Sequence, residues 1–219
     1  MNTVQTEAVA IDVPQAGSLG ADLVVVTPDA PLVVFAHGSG SSRRSPRNRA
    51  VAERLHQEGI STLLLDLLTP AEDEAENRGA RLRFDVERLS GRLIAAVDWL
   101  ERRSAPQPRS LGYFGASTGA AAALIAAAEQ PDAIGAVVSR GGRPDLAGPA
   151  LPLVTAPTLL IVGGRDTEVL ALNEDALAQL SAEKQLEVIP GATHLFAEPG
   201  TLRQAADLAA TWFSRHLER

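Results

Sequence analysis

Residues 115–119 read GASTG, a single serine between two glycines, preceded by SLGYF and followed by AAAALIAAAEQP. A serine placed where an apolar strand turns into a helix can serve as a nucleophile, because a sharp turn there lifts the hydroxyl clear of the backbone. Such a turn brings strand and helix backbones close, and Gly115, Ala116, Gly119 and Ala120 are the small residues that relieve the crowding. The helix N-terminus behind Ser117 also favours developing negative charge. A plainer reading of the same residues is a helix cap, a position serine favours on its own account.

Serine is a poor nucleophile unless a base takes its proton and a third group holds that base in its working tautomer. The chain has four histidines. His56, in AERLHQEG, and His216, in the last helical stretch, read as surface, packing or helix-dipole residues. His37 precedes a glycine at the end of LVVFA. His194 lies in PGATHLFAEPG, after the last apolar run and before the last helical one, where the chain order Ser, Asp, His places a general base. Asp166 opens the loop after the uninterrupted run TLLIV and fits the acid, while Asp145, after the preceding run, is its competitor. As a plain structural residue Asp166 would cap the next helix. The turn HGSG at 37–40 supplies a fourth element, backbone amides of Ser39 or Gly40 that join the amide of Thr118 around an oxyanion. Together these groups spell acyl transfer through a covalent intermediate, with no metal or organic cofactor required.

These residues must be positioned by a scaffold, and the chain supplies one. Apolar runs at 21–26, 32–36, 62–67, 110–114, 134–139, 158–162 and 186–189 alternate with helical patterns at 48–58, 82–103, 118–129, 169–180 and 202–216. Near-continuous apolar runs are expected of strands covered on both faces, and strand–helix alternation implies right-handed crossovers. The fold class is therefore α/β, a three-layer sandwich around a mostly parallel sheet. Residues 4–13 and the run beginning GADLVVV read as an antiparallel hairpin at its start, 69–83 as a polar loop or helix lead-in, and 140–156 as a Gly/Pro-rich loop with about one helical turn. That last connection is too short for an inserted lid, so the site should be open. A single domain over 1–219 is expected.

Composition narrows the function further. The chain has 219 residues, 45% of them hydrophobic, and a formal net charge of −7, which disfavours nucleic acid and anionic membrane as partners. No apolar run is long enough to span a bilayer and the start lacks the pattern of a secretory signal, so a cytoplasmic location is expected. Without cysteine there is no disulfide framework, no thiolate zinc site and no thiol nucleophile.

Taken together, VVFAHGSGSSRRSPRN, TLLLDLLTP, GYFGASTGAAAAL, VVSRGGRPDLA, TLLIVGGRD and GATHLF make the chain resemble the α/β-hydrolase superfamily, and within it the lidless dienelactone-hydrolase-like branch, from about residue 15 onward. The resemblance implies the α/β-hydrolase fold and a hydrolytic triad of Ser117, Asp166 and His194. It departs in one respect, since dienelactone hydrolase itself uses a cysteine nucleophile and this chain has none. The substrate expected from the residues is a small, partly polar ester or lactone, because aromatics make up only 4% of the chain. His37, Arg43 and Arg140 are candidate substrate contacts. They belong to a wider set of arginines, Arg43, Arg44, Arg47 and Arg49 after the HGSG turn and Arg140 and Arg143 after another strand. Such a set either grips an anionic group or, more commonly, pairs with surface acids.

Overall fold

The computed structural model describes residues 6–14, 16–103 and 107–217. Eight strands form one sheet: β1 (Thr6–Val13), β2 (Gly17–Val24), β3 (Leu32–Ala36), β4 (Ser61–Leu65), β5 (Leu111–Ala116), β6 (Ile134–Arg140), β7 (Thr158–Gly163) and β8 (Lys184–Ile189). Their order is β1-β2-β4-β3-β5-β6-β7-β8. β1 pairs antiparallel with β2 and β2 antiparallel with β4, and every other pairing is parallel. The expected hairpin is thus present, with residues 4 and 5 of its expected span outside the described residues.

The continuous apolar runs are explained by the two cores they serve. Leu32, Val34 and Ala36 of β3 face one core, while Val33 and Phe35 face the other. On β5, Leu111 and Tyr113 join the first core and Phe114 and Ala116 the second. This is the period-two alternation of a strand with no solvent face. The first core is closed by α3 (Val86–Glu101), α4 (Thr118–Glu129) and α5 (Thr167–Gln179). The second is closed by α1 (Pro46–Gln57) and α6 (Thr201–Leu217). The three layers are those of the α/β-hydrolase sandwich.

The polar stretch at 69–83 contains an ordered helix, α2 (Pro70–Asn77). Thr69 caps it, accepting from the Glu72 amide while the Glu72 carboxylate accepts from the Thr69 amide, a reciprocal capping box that needs no buried face. The helix expected from residue 82 starts at Val86 because Asp85 caps it through the Arg88 amide, and Leu82–Phe84 form a short 3-10 turn. Pro144–Leu153 is 3-10 helix interrupted at Gly148. Among the described residues no helix is long and apolar enough to cross a membrane.

This topology creates the crevice. From β3 the chain crosses to β4 on one side, then returns past β3 to β5 and proceeds toward the opposite edge. The loops after β3 and β5 therefore diverge from neighbouring strands, and the gap between them is where open α/β sheets bind ligands.

Candidate active site

Ser117 links β5 directly to α4, with φ 52° and ψ −124°, a region that side-chain-bearing residues rarely occupy. It stands at the N-cap position, yet its side chain caps nothing. The helix-cap reading therefore fails. The strained turn is held by backbone bonds on both sides, since the Ser117 carbonyl accepts from the amides of Ala120 and Arg143 at 3.1 and 3.0 Å. Gly119 makes the turn feasible, because a Cβ there would overlap the backbone carbonyl oxygens of Ala36 and His37. Thr118, the first residue of α4 and 4% exposed, has no helical acceptor for its amide.

His194 lies on the loop between β8 and α6, and its Nδ1 is 2.7 Å from Oδ2 of Asp166, the last residue of the loop after β7, which holds the N-cap position of α5 without capping it. The carboxylate fixes Nδ1 as the donor and leaves Nε2 as the nitrogen able to accept a proton. The histidine side chain is 39% exposed and the aspartate 16%, so the ring is reachable while its partner is sheltered. The two loops are pressed together at Gly163, where a Cβ would overlap the Ala192 backbone, and the Arg165 amide donates to the Ala192 carbonyl at 2.9 Å. Asp145, by contrast, is engaged by Arg143 in a two-pronged pair of 2.8 and 2.7 Å.

A cavity of about 300 Å³ brings these elements together. Ser117 and His194 line it, joined by the turn at 38–41, the start of α1 and Arg140 at the end of β6. Ser39 is thus on the wall, and its carbonyl is pinned by Arg83 Nη1 at 3.0 Å. Arg83 in turn pairs with Asp73 of α2 at 2.8 Å, so the polar helix braces the turn. Among the described residues no three His, Asp or Glu side chains gather as a cation site would require.

Two candidate substrate contacts do not meet the cavity. His37 is 7% exposed, and both its ring nitrogens are spent on backbone: Nδ1 donates to the Gly38 carbonyl at 2.8 Å and Nε2 accepts from the Leu67 amide at 3.2 Å. Burial holds its pKa below the usual histidine value. It is a strut between the ends of β3 and β4. Arg43 is drawn away by acids, pairing with Asp66 and, at 3.2 Å, with Asp22, while its amide donates to Asp66 at 2.8 Å. Arg49 also pairs with Asp22, at 2.9 Å. Arg140 does line the cavity, and so does Arg47. Burial, with Arg47 nearby, lowers the Arg140 pKa to about 10, which leaves it cationic at neutral pH.

Glu198 was not among the expected residues. Its carboxylate accepts from the amide and hydroxyl of Thr193, at 3.0 and 2.7 Å, fixing the residue before His194. Those hydrogen bonds hold its pKa below the ordinary value. No spacing rule announces an acid five residues after a threonine in a loop.

Comparison with known proteins agrees with this fold. A model of the dienelactone hydrolase family matches residues 22–217. A crystal structure of a dienelactone hydrolase from Anabaena variabilis is 54% identical, covers 99% of this chain and 100% of its own, and superposes with a TM-score of 0.95. A Mycobacterium tuberculosis protein named "Putative phosphoribosyl transferase" is 55% identical over 215 residues, 97% of this chain. The chain spans 46% of that relative's length. An α/β serine hydrolase without lid from Xanthomonas campestris shares the fold, at 20% identity and a TM-score of 0.76 over 100% of this chain and 98% of its own.

Proposed function

The chain belongs to the dienelactone hydrolase family, and from that premise we propose that it is a carboxylic ester hydrolase acting on a small ester or lactone through Ser117, His194 and Asp166. The observation that carries the reading is the 2.7 Å Asp166–His194 bond, with the histidine sharing one small cavity with a strained, uncapped serine. Ser117 Oγ attacks the ester carbonyl as His194 Nε2 takes its proton, and the amides of Thr118 and Ser39 hold the oxyanion. Asp166 stabilises the imidazolium. Collapse of the tetrahedral species breaks the bond to the alcohol oxygen, which receives the proton from His194. Water, deprotonated by the same imidazole, then attacks the acyl-serine and releases the acid.

The transferase name belongs to a Mycobacterium chain of which this one matches less than half. An elbow serine backed by a His–Asp pair supports acyl chemistry more directly than transfer of a ribosyl group.

The test is intact-mass spectrometry after a fluorophosphonate probe, with turnover of p-nitrophenyl acetate and butyrate, on wild type, Ser117→Ala and His194→Ala. A single adduct is expected on wild type, absent in Ser117→Ala, with turnover falling roughly 10²-fold or more in both variants. An adduct that survives Ser117→Ala, or undiminished turnover, rules the assignment out.

A further inference from the structure

The cavity holds a positive charge that the acyl-transfer cycle does not use. Arg140 is 6% exposed, with its guanidinium carbon 5.9 and 5.7 Å from the ring centres of Phe114 and Phe196. Its hydrogen bond runs from Nη2 to the side-chain oxygen of Asn48, at 3.3 Å, while the buried Nε and Nη1 have no partner. The Nε of Arg47 is likewise buried without a partner. Other buried and half-buried arginines meet acids, as Arg43 does Asp22 and Asp66, Arg92 does Glu72, and Arg143 does Asp145. The residues lining this cavity include two arginines and no aspartate or glutamate.

A guanidinium buried without a counter-charge is costly, and proteins keep one where something else supplies the anion. Both arginines line the cavity. Helix α1 begins at the same wall, adding the positive end of its dipole beside the Ser45 hydroxyl. On a chain of net charge −7 this is a local reversal of sign.

We infer that the corner formed by Arg47 and Arg140 is a subsite for a phosphate-type dianion, which makes phosphorylated small esters the substrate class of the neighbouring serine. Two guanidinium charges match two negative charges. The unpartnered N–H groups, with the hydroxyls of Ser41 and Ser45 on the same wall, outnumber what the two oxygens of a carboxylate accept, whereas a tetrahedral group offers three. The inference rests on the hydrolase reading of this cavity for its substrate, but not for its binding chemistry.

The test therefore reads binding in a protein without the nucleophile. Inorganic phosphate and acetate are titrated calorimetrically at pH 7.5 into full-length Ser117→Ala, then into the same protein carrying Arg47→Gln or Arg140→Gln. Phosphate is expected to bind about tenfold or more tighter than acetate, and each arginine substitution to weaken it about tenfold, the scale of a lost charge-assisted hydrogen bond. Arg47→Gln, at the less buried position, carries the test if Arg140→Gln does not fold. Phosphate that fails to bind, acetate that binds as tightly, or affinity indifferent to Arg47→Gln overturns the subsite. Phosphate binding to a protein whose wild type takes no fluorophosphonate upholds the subsite and overturns the hydrolase reading. An adduct without phosphate binding does the reverse.

Discussion

Ser117 is held at φ 52° and ψ −124°, and that geometry costs stability in return for a hydroxyl standing free of the backbone. Backbone strain of this kind is of order 1–3 kcal/mol, and glycine alone escapes it, at an entropic cost of about 0.5–1 kcal/mol in the unfolded chain. Ser117→Gly should therefore raise the unfolding free energy by a net ~1 kcal/mol, seen as a higher urea midpoint, while abolishing turnover, whereas Ser117→Ala retains the strain along with its Cβ. Equal midpoints for the two variants would show that the turn stores nothing. The candidate triad was legible at this scale, because the order Ser, Asp, His in three loops is a property of the sequence. Side-chain direction was not. His37 and Arg43 sit in the right loop, but one has its ring nitrogens taken by backbone and the other faces two carboxylates contributed by distant strands. Only the fold reveals those competitors.

The β5–α4 elbow depends on contact between α4 and the turn after β3. A methyl group at Gly119 would have to displace two backbone carbonyls, and backbone gives way far less readily than a flexible side chain. Gly119→Ala is expected to destabilise by about 3 kcal/mol or more, the upper end of overpacking penalties, with loss of the cooperative thermal transition at its wild-type temperature. A melting temperature within a few degrees of wild type would contradict that contact. Elements with a buried face were the readable ones. The central strands show apolar residues at every position because both faces are covered, and α1, α3 and α6 have a visible stripe. Helix α2 buries no residue, so hydrophobic periodicity could not find it. Its signal was chemical instead, Thr69 with Pro70 next and Glu72 three positions on, a capping box spelled in the sequence. The 3-10 turns at 144–153 carry neither signal clearly, because prolines at 149 and 152 interrupt any pattern.

Across the whole molecule, two cores share one sheet, and His37 is fastened between the ends of two of its central strands. Protonating it would turn Nε2 from an acceptor into a donor aimed at the Leu67 amide, in a place without solvent. Its folded pKa lies below the ordinary 6.5, chiefly through burial, so between those two values the unfolded chain binds more protons. Its contribution to stability is full above pH 6.5 and is lost as pH falls through the folded value. Urea unfolding at stepped pH values below 6.5 should show wild type losing stability, with up to about 1.4 kcal/mol per pH unit owed to this one proton. His37→Gln should lose that share and keep the part owed to His56, also lowered by burial. Identical slopes would acquit His37. The Arg43 bracket has a further bearing on how this chain can be rearranged. Its guanidinium spans from Asp22, on the antiparallel hairpin, to Asp66, just past β4, while its amide anchors the turn beside the cavity. The hairpin at the sheet's margin is thereby a tensioning stay for the turn beside the cavity. Trimming the first two strands to make a minimal hydrolase would cut that stay and leave the turn to Asp66 and the Arg83 brace alone.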